Sequence, residues 1–260
     1  MSGRRFRATL LIGALLALGL IALAQAETIQ QHGLRIRLDG QIVPKRLPRT
    51  TLAPVKVSVD TKIAAPGTKR PPALKQISLA INRYGRLDST GLALCEVSDI
   101  QPSSTEKALE ACRGSLVGEG HFAASLAVTR NVAFPASGKL LAFNGTYKGH
   151  PAILAHVYGT DPLPTSFTLP FVIGHGRGTF GTTLTATLPA AEGGFVTGIE
   201  LNLGRNYTYK GQKRSYASAS CPAPKGFPGA SFAFAKASYE FAGGQRLSST
   251  LTRSCRVRSK

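Results

Sequence analysis

Apolar and polar residues alternate with a period of two along much of this chain. Val55, Val57, Val59 and Ile63 fall on one side of an extended segment, and Lys56, Ser58, Asp60 and Lys62 on the other. Leu34, Ile36 and Leu38 alternate with Arg35 and Arg37, and Ile77, Leu79 and Ile81 repeat the pattern. A longer version runs from Ile199 through Leu201 and Leu203 to Tyr207 and Tyr209. Side chains on a strand point alternately to its two faces, so this period predicts half-buried strands. Phe232 and Phe234 begin another strand, but Tyr239 and Phe241 lie on the opposite parity, which predicts a bulge between the two pairs. Weaker runs near 117–128, 139–147, 152–158, 166–174, 179–188, 213–220 and 247–257 bring the expectation to about a dozen strands. Ser137-Gly138, Lys148-Gly149, Gly193-Gly194 and Gly243-Gly244 read as the turns between them.

One segment departs from this period. Residues 103–112 read as a short helix, with Ser103 and Glu106 at capping-box spacing. Residues 64–73 hold Pro66, Lys69, Arg70, Pro71 and Pro72, which a central strand does not tolerate, so they read as an exposed loop. Many short strands at this spacing predict an all-β fold, an antiparallel sandwich with one short helix, rather than a parallel α/β sheet.

The first residues change the setting. Arg4, Arg5 and Arg7 precede an apolar run from Ala8 to Ala24, and Ala24-Gln25-Ala26 supplies the small residues of a cleavage site. Residues 1–26 therefore read as a signal peptide, with an uncleaved membrane anchor as the alternative. Residues 27–260 then form one β domain in a secreted or extracytoplasmic setting. Loss of three arginines lowers the formal charge from +19 to +16.

Cys95, Cys112, Cys221 and Cys255 all follow the signal, and an even count in an oxidising compartment predicts two disulfides. Of the three pairings, locality favours Cys95–Cys112 and Cys221–Cys255, the first tethering the helix to the strand before it. No CxxC occurs, so no zinc site is predicted.

Several short motifs carry chemistry elsewhere and are explained here without it. Gly176-Arg177-Gly178-Thr179-Phe180-Gly181 fits GxGxxG, but β-branched residues follow where a nucleotide site requires a helix, so it reads as a hairpin turn. Ser104-Thr105-Glu106-Lys107 fits SxxK without its partner motifs and reads as a helix start. His32, His121, His150, His156 and His175 form no ligand pattern in sequence, and Glu119, Asp161, Glu192 and Glu200 are the acids open to catalysis without one being marked out. No catalytic residue, cofactor or metal is predicted. Asn144-Gly145-Thr146 and Asn206-Tyr207-Thr208 have N-glycosylation spacing.

The charge excess is the feature that implies a partner. Bases interleave with tyrosines over 205–216, where Arg205, Lys210, Lys213 and Arg214 are the candidate polyanion contacts, and Arg253, Arg256, Arg258 and Lys260 add to them. Such a field attracts polyanions. Outside the cytoplasm these are anionic cell-wall polymers or acidic membrane surfaces, with nucleic acid ranking below them.

Arg83-Tyr84-Gly85-Arg86-Leu87-Asp88, the segments leading to Cys95 and Cys112, 116–120, 141–145, 153–158 and 207–211 together resemble a recurring group of exported, uncharacterised bacterial β-rich proteins with two disulfides. The resemblance covers most of 74–258. It implies one domain spanning the four cysteines and the same pairing, carries no activity, and makes His156 the first choice should a site exist. The expected function is a non-catalytic envelope or extracellular protein with a basic binding face. A secreted hydrolase of envelope glycans or esters is the alternative.

Overall fold

The computed structural model describes residues 26–67, 71–129, 132–161, 164–188 and 194–258. The predicted signal peptide, apart from Ala26, lies outside them, as do Glu192, Gly193 and Lys260.

Alternation becomes strands in nearly every predicted place. The first part of the chain forms β1 (Glu27–Gln31), β2 (Leu34–Val43), β3 (Arg46–Leu47), β4 (Ala53–Pro54), β5 (Lys56–Ala64), β6 (Leu74–Asn82) and β7 (Gly85–Leu87). Two helices follow, α1 (Val97–Ile100) and α2 (Thr105–Cys112), and then a 3-10 turn at Arg113–Ser115. The long central strands are β8 (Leu116–Thr129), β9 (Val132–Tyr147), β10 (His150–Asp161), β11 (Thr165–His175), β12 (Phe180–Thr187) and β13 (Gly194–Leu203). The chain ends with β14 (Asn206–Tyr209), β15 (Gln212–Ser215), β16 (Ala217–Ala219), β17 (Gly229–Phe241) and β18 (Arg246–Val257).

Thirteen of these strands make one sheet, in the order β1-β2-β5-β13-β8-β9-β10-β11-β12-β6-β17-β18-β3. All of its pairs are antiparallel except β18 with β3. The sheet curls until β1 and β2 lie against β18, so its two walls face each other across one apolar core. At this seam the Arg253 guanidinium donates to the Gly40 carbonyl (2.5 Å) and the Asp39 carboxylate (2.6 Å). Arg253 is therefore buried and leaves the basic surface assigned to it from sequence. Its odd-numbered place beside Leu251 and Cys255 already put it on the inner face of β18.

β9 and β10 are covered on both sides. Leu140, Ala142, Ile153, Ala155 and Val157 face the main core, while Leu141, Phe143, Ala152 and Leu154 pack against Ile100, Ala108 and the Cys95–Cys112 bridge. Double burial explains the unbroken apolar run at 152–155. Full burial of Leu141, Phe143, Leu154 and Ile100 stabilises by roughly 1.5–3 kcal/mol each as an upper bound. That sum exceeds the roughly 3 kcal/mol of a disulfide of this loop length. Packing holds the helical lobe, and the bridge reinforces it. Cys221–Cys255 is the second bridge, so both predicted pairings are present.

The expected bulge in β17 is present, with the register shifting at Phe234 between Ala233 and Ala235, so that Phe232 and Phe234 face the core on one parity and Tyr239 and Phe241 on the other. Three local expectations shift. The helix cap is Ser104, whose hydroxyl accepts from the Lys107 amide, while the Ser103 hydroxyl donates to the Ile100 carbonyl. Ser137-Gly138 is not a turn but the interior of β9; a Cβ at Gly138 would lie 2.5 Å from the Tyr158 carbonyl, so glycine serves close strand approach there. The alternation from Ile199 to Tyr209 is broken after Leu203, and Tyr207 and Tyr209 belong to the separate β14–β15 hairpin. The GxGxxG stretch is the turn from β11 to β12, and Lys148-Gly149 and Gly243-Gly244 are turns as expected.

Candidate functional site

The β14–β15 hairpin is braced on the 88–91 segment by three contacts. The Tyr207 hydroxyl donates to the carbonyls of Asp88 (3.2 Å) and Thr90 (2.9 Å), and Arg214 pairs with the Asp88 carboxylate at 3.3 Å. The Tyr209 ring lies over Gly91, where any Cβ would clash at 2.3 Å and φ is +83°. Partial burial raises the Tyr207 phenol above its usual range, with the Asp88 charge adding to it. The same burial opposes ionisation of Asp88, but hydrogen bonds from Thr90 and the charges of Arg214 and Arg86 overcome it and hold that carboxyl low. Lys210 and Arg214 both lie over the Tyr209 ring, at 5.4 and 5.9 Å from its centroid.

Arg205, which immediately precedes the hairpin, lines an open cleft of about 590 Å³ on the outer face of β2, β5, β13 and β8. That volume is in the range of small-molecule sites. Its floor is one cross-strand row, Gln41 opposite Ser58, Ser58 opposite Asn202, and Asn202 opposite Glu119. Period-two geometry puts these four side chains on one face. Lys56, Arg113 and Arg205 border the row, so three cations meet one carboxylate, and Glu119 is itself neutralised by Lys139 at 3.6 Å.

The four basic residues assigned from sequence separate into two kinds. Lys210 and Lys213 are exposed on the hairpin. Arg205 lines the cleft but donates to the carbonyls of Gly114 and Leu116, both at 2.8 Å, and Arg214 is committed to Asp88. Lys56, Arg113, Gln41, Ser58 and Asn202 were missed as site residues, while Glu119 was among the acids named from sequence. Alternation put Lys56 and Ser58 on the outer face, but only strand order makes Asn202 and Glu119 their neighbours.

The histidines do not gather. His32, His121, His150 and His175 are exposed at separate places, and His156 is buried beneath the helical lobe. Among the described residues the one group of three close ligand atoms from His, Cys, Asp and Glu is Cys95, Asp99 and Cys112, whose thiols are spent in the disulfide. Neither ring nitrogen of His156 has a protein partner, nor does the hydroxyl of Thr168 opposite it. Burial pushes the His156 imidazole below its usual range, which keeps it neutral. Asn144 is buried, with its amide donating to the Ala93 carbonyl at 2.9 Å, so the first glycosylation motif is not presented; Asn206 is exposed.

Among the described residues no helix is long and apolar enough to cross a membrane. Two formed disulfides point to an oxidising, extracytoplasmic location. Comparison with protein-family models, curated proteins and solved structures returns no match to this chain.

Proposed function

We propose that the protein is exported by its N-terminal 26 residues and acts outside the cytoplasm as a non-catalytic binding protein for anionic envelope polymers. The observation that carries this reading is the cleft row of Gln41, Ser58, Asn202 and Glu119 bordered by Lys56, Arg113 and Arg205. Amide and hydroxyl side chains suit sugar or glycerol hydroxyls, and the cations suit uronate or phosphate groups along the same chain. Lys210 and Lys213, exposed on the hairpin that follows Arg205, add to the positive field. The charge excess of the whole chain supports the same reading.

Retention on immobilised polygalacturonate and on polyglycerol phosphate, against neutral dextran, tests it at 50 and 500 mM salt. Retention on the polyanions should fall steeply with salt. A Lys56→Gln, Arg113→Gln, Lys213→Gln protein should lose about tenfold or more in affinity, about 1.4 kcal/mol. Arg205 is left alone because it also holds the 113–116 carbonyls. Equal retention on dextran, or indifference to salt, would remove the proposal.

A further inference from the structure

The core of the curled sheet is not filled. A cavity of about 100 Å³ lies between its walls, and it is lined almost entirely by carbon. Val57, Val59, Leu79, Ile81, Phe171 and Leu201 point into it on the inner parity of β5, β6, β11 and β13. All six are only half-buried, whereas Ile36, Leu38 and Leu251, next to the seam, are fully enclosed. An inner wall that stays accessible marks hollow space rather than loose packing at the rim.

The polar side chains of Thr61 and Asn82 on this wall are already used. The Thr61 hydroxyl bonds the Tyr239 hydroxyl at 2.9 Å, and the Asn82 side chain donates to the Ala233 carbonyl and accepts from the Tyr84 amide. A polar guest would find nothing to replace its water, so the lumen selects hydrocarbon. Apolar cavities of about 150 Å³ stay dry and accept benzene, and this one, at about 100 Å³, is smaller and suits a short alkyl chain. At one end, Tyr84 and Arg86 of the β6–β7 region and Ser218 of β16 border the same cavity. Tyr84 and Arg86 are exposed, so this end combines an apolar interior with a polar, cationic rim.

We infer that the lumen binds the alkyl chain of a small amphiphile, with an anionic head at the Tyr84–Arg86–Ser218 rim. This does not rest on the anionic-polymer reading. Val57 and Leu203 turn their side chains to the lumen, while Ser58 and Asn202 turn theirs to the outer cleft across the same wall.

The test is titration of the exported, disulfide-bonded protein with butanoate, butanol and ethanol, read by calorimetry and by the shift in thermal midpoint. Butanoate and butanol should each bind saturably at one per chain, and ethanol at least about tenfold more weakly. Leu201→Phe, which fills the lumen, should weaken both four-carbon probes by about tenfold or more. Arg86→Gln should weaken butanoate severalfold and leave butanol unchanged. Should Leu201→Phe fail to fold, Phe171→Leu enlarges the same space and should move the preference from butanol toward hexanol. Absence of saturable butanol binding would overturn the inference, as would affinity and chain-length preference that ignore both lumen substitutions. Butanoate affinity unaffected by Arg86→Gln would overturn the rim assignment.

Discussion

Thr61 on β5 and Tyr239 on β17 join hydroxyls at 2.9 Å inside the curled sheet, although 178 residues separate them. Both are buried, so each satisfies the other where water does not reach. Burial pushes the Tyr239 phenol up to about 12, against the smaller opposing effect of the Thr61 bond. The folded pKa lies above the unfolded value of 10.0, so the associated stability is full below pH 10 and is lost as pH rises from 10 toward 12. Tyr239→Phe should cost about 1–2 kcal/mol at pH 7 by stranding the Thr61 hydroxyl, and should flatten this alkaline loss. Adding Thr61→Val should recover part of the neutral-pH cost. Denaturant unfolding of the parent, the two single variants Tyr239→Phe and Thr61→Val, and the double variant at pH 7 and pH 10.5 checks it; additive losses would mean that the two hydroxyls are not coupled.

Arg253 on β18 closes the seam to β2. Arg253→Met should destabilise by about 2–3 kcal/mol, the figure being reduced because Asp39 remains partly in water. Arg253→Lys should restore less than half of that, since an ammonium cannot serve the Gly40 carbonyl and the Asp39 carboxylate in the same fixed fork. Urea unfolding midpoints measure both. Full rescue by lysine would show that charge alone matters at this position.

The two disulfides should fail differently. In the chain-entropy model the 17-residue and 34-residue separations correspond to roughly 3 and 4 kcal/mol. Cys95→Ser with Cys112→Ser should loosen mainly the helical lobe, which has its own apolar cluster, and hydrogen exchange should rise over 96–116 first. Cys221→Ser with Cys255→Ser should lower the global midpoint, because those sulfurs sit in the main core. Uniform exchange in both variants would contradict this division.

His156 should make the protein acid-sensitive. Its folded pKa is depressed by burial below 6.5, so the unfolded chain binds the extra proton first as pH falls. Stability should be full above pH 6.5 and decline below it. His156→Leu removes two unpartnered buried nitrogens and should stabilise by about 1–2 kcal/mol at pH 7. The difference between variant and parent should widen between pH 6.5 and 5 in thermal or urea unfolding. A constant difference across that range would show that the imidazole does not titrate with unfolding.

Strand identity was legible wherever one face meets water. Arg35 against Ile36 and Lys56 against Val57 announce their directions because burial on a strand alternates with every residue. Alternation weakens where that condition fails, although the strand near 152–158 was still expected and forms β10. The run at 152–155 loses its alternation because the helical lobe covers the outer side of β10. Gly138 imitates a turn because a close backbone approach and a bend both favour glycine. In the candidate site, Arg205, Lys210, Lys213 and Arg214 were visible as a basic run, but their partners were not. Asp88 and the carbonyls of Gly114 and Leu116, which occupy two of the four, come from residues about 90 to 126 positions away.

By itself the sequence determined the strand-rich class, the short helix, the local pairing of the cysteines and the excess of positive charge. Each of these depends on residues near one another in the chain or on composition. Tertiary structure alone decided that the sheet curls onto itself, that Arg253 is sealed into its seam, that Lys56 and Arg113 border one polar row, and that the lumen is left hollow. Those outcomes depend on which strands become neighbours, and the free energy that selects the neighbours is the burial of apolar faces summed over the whole sheet.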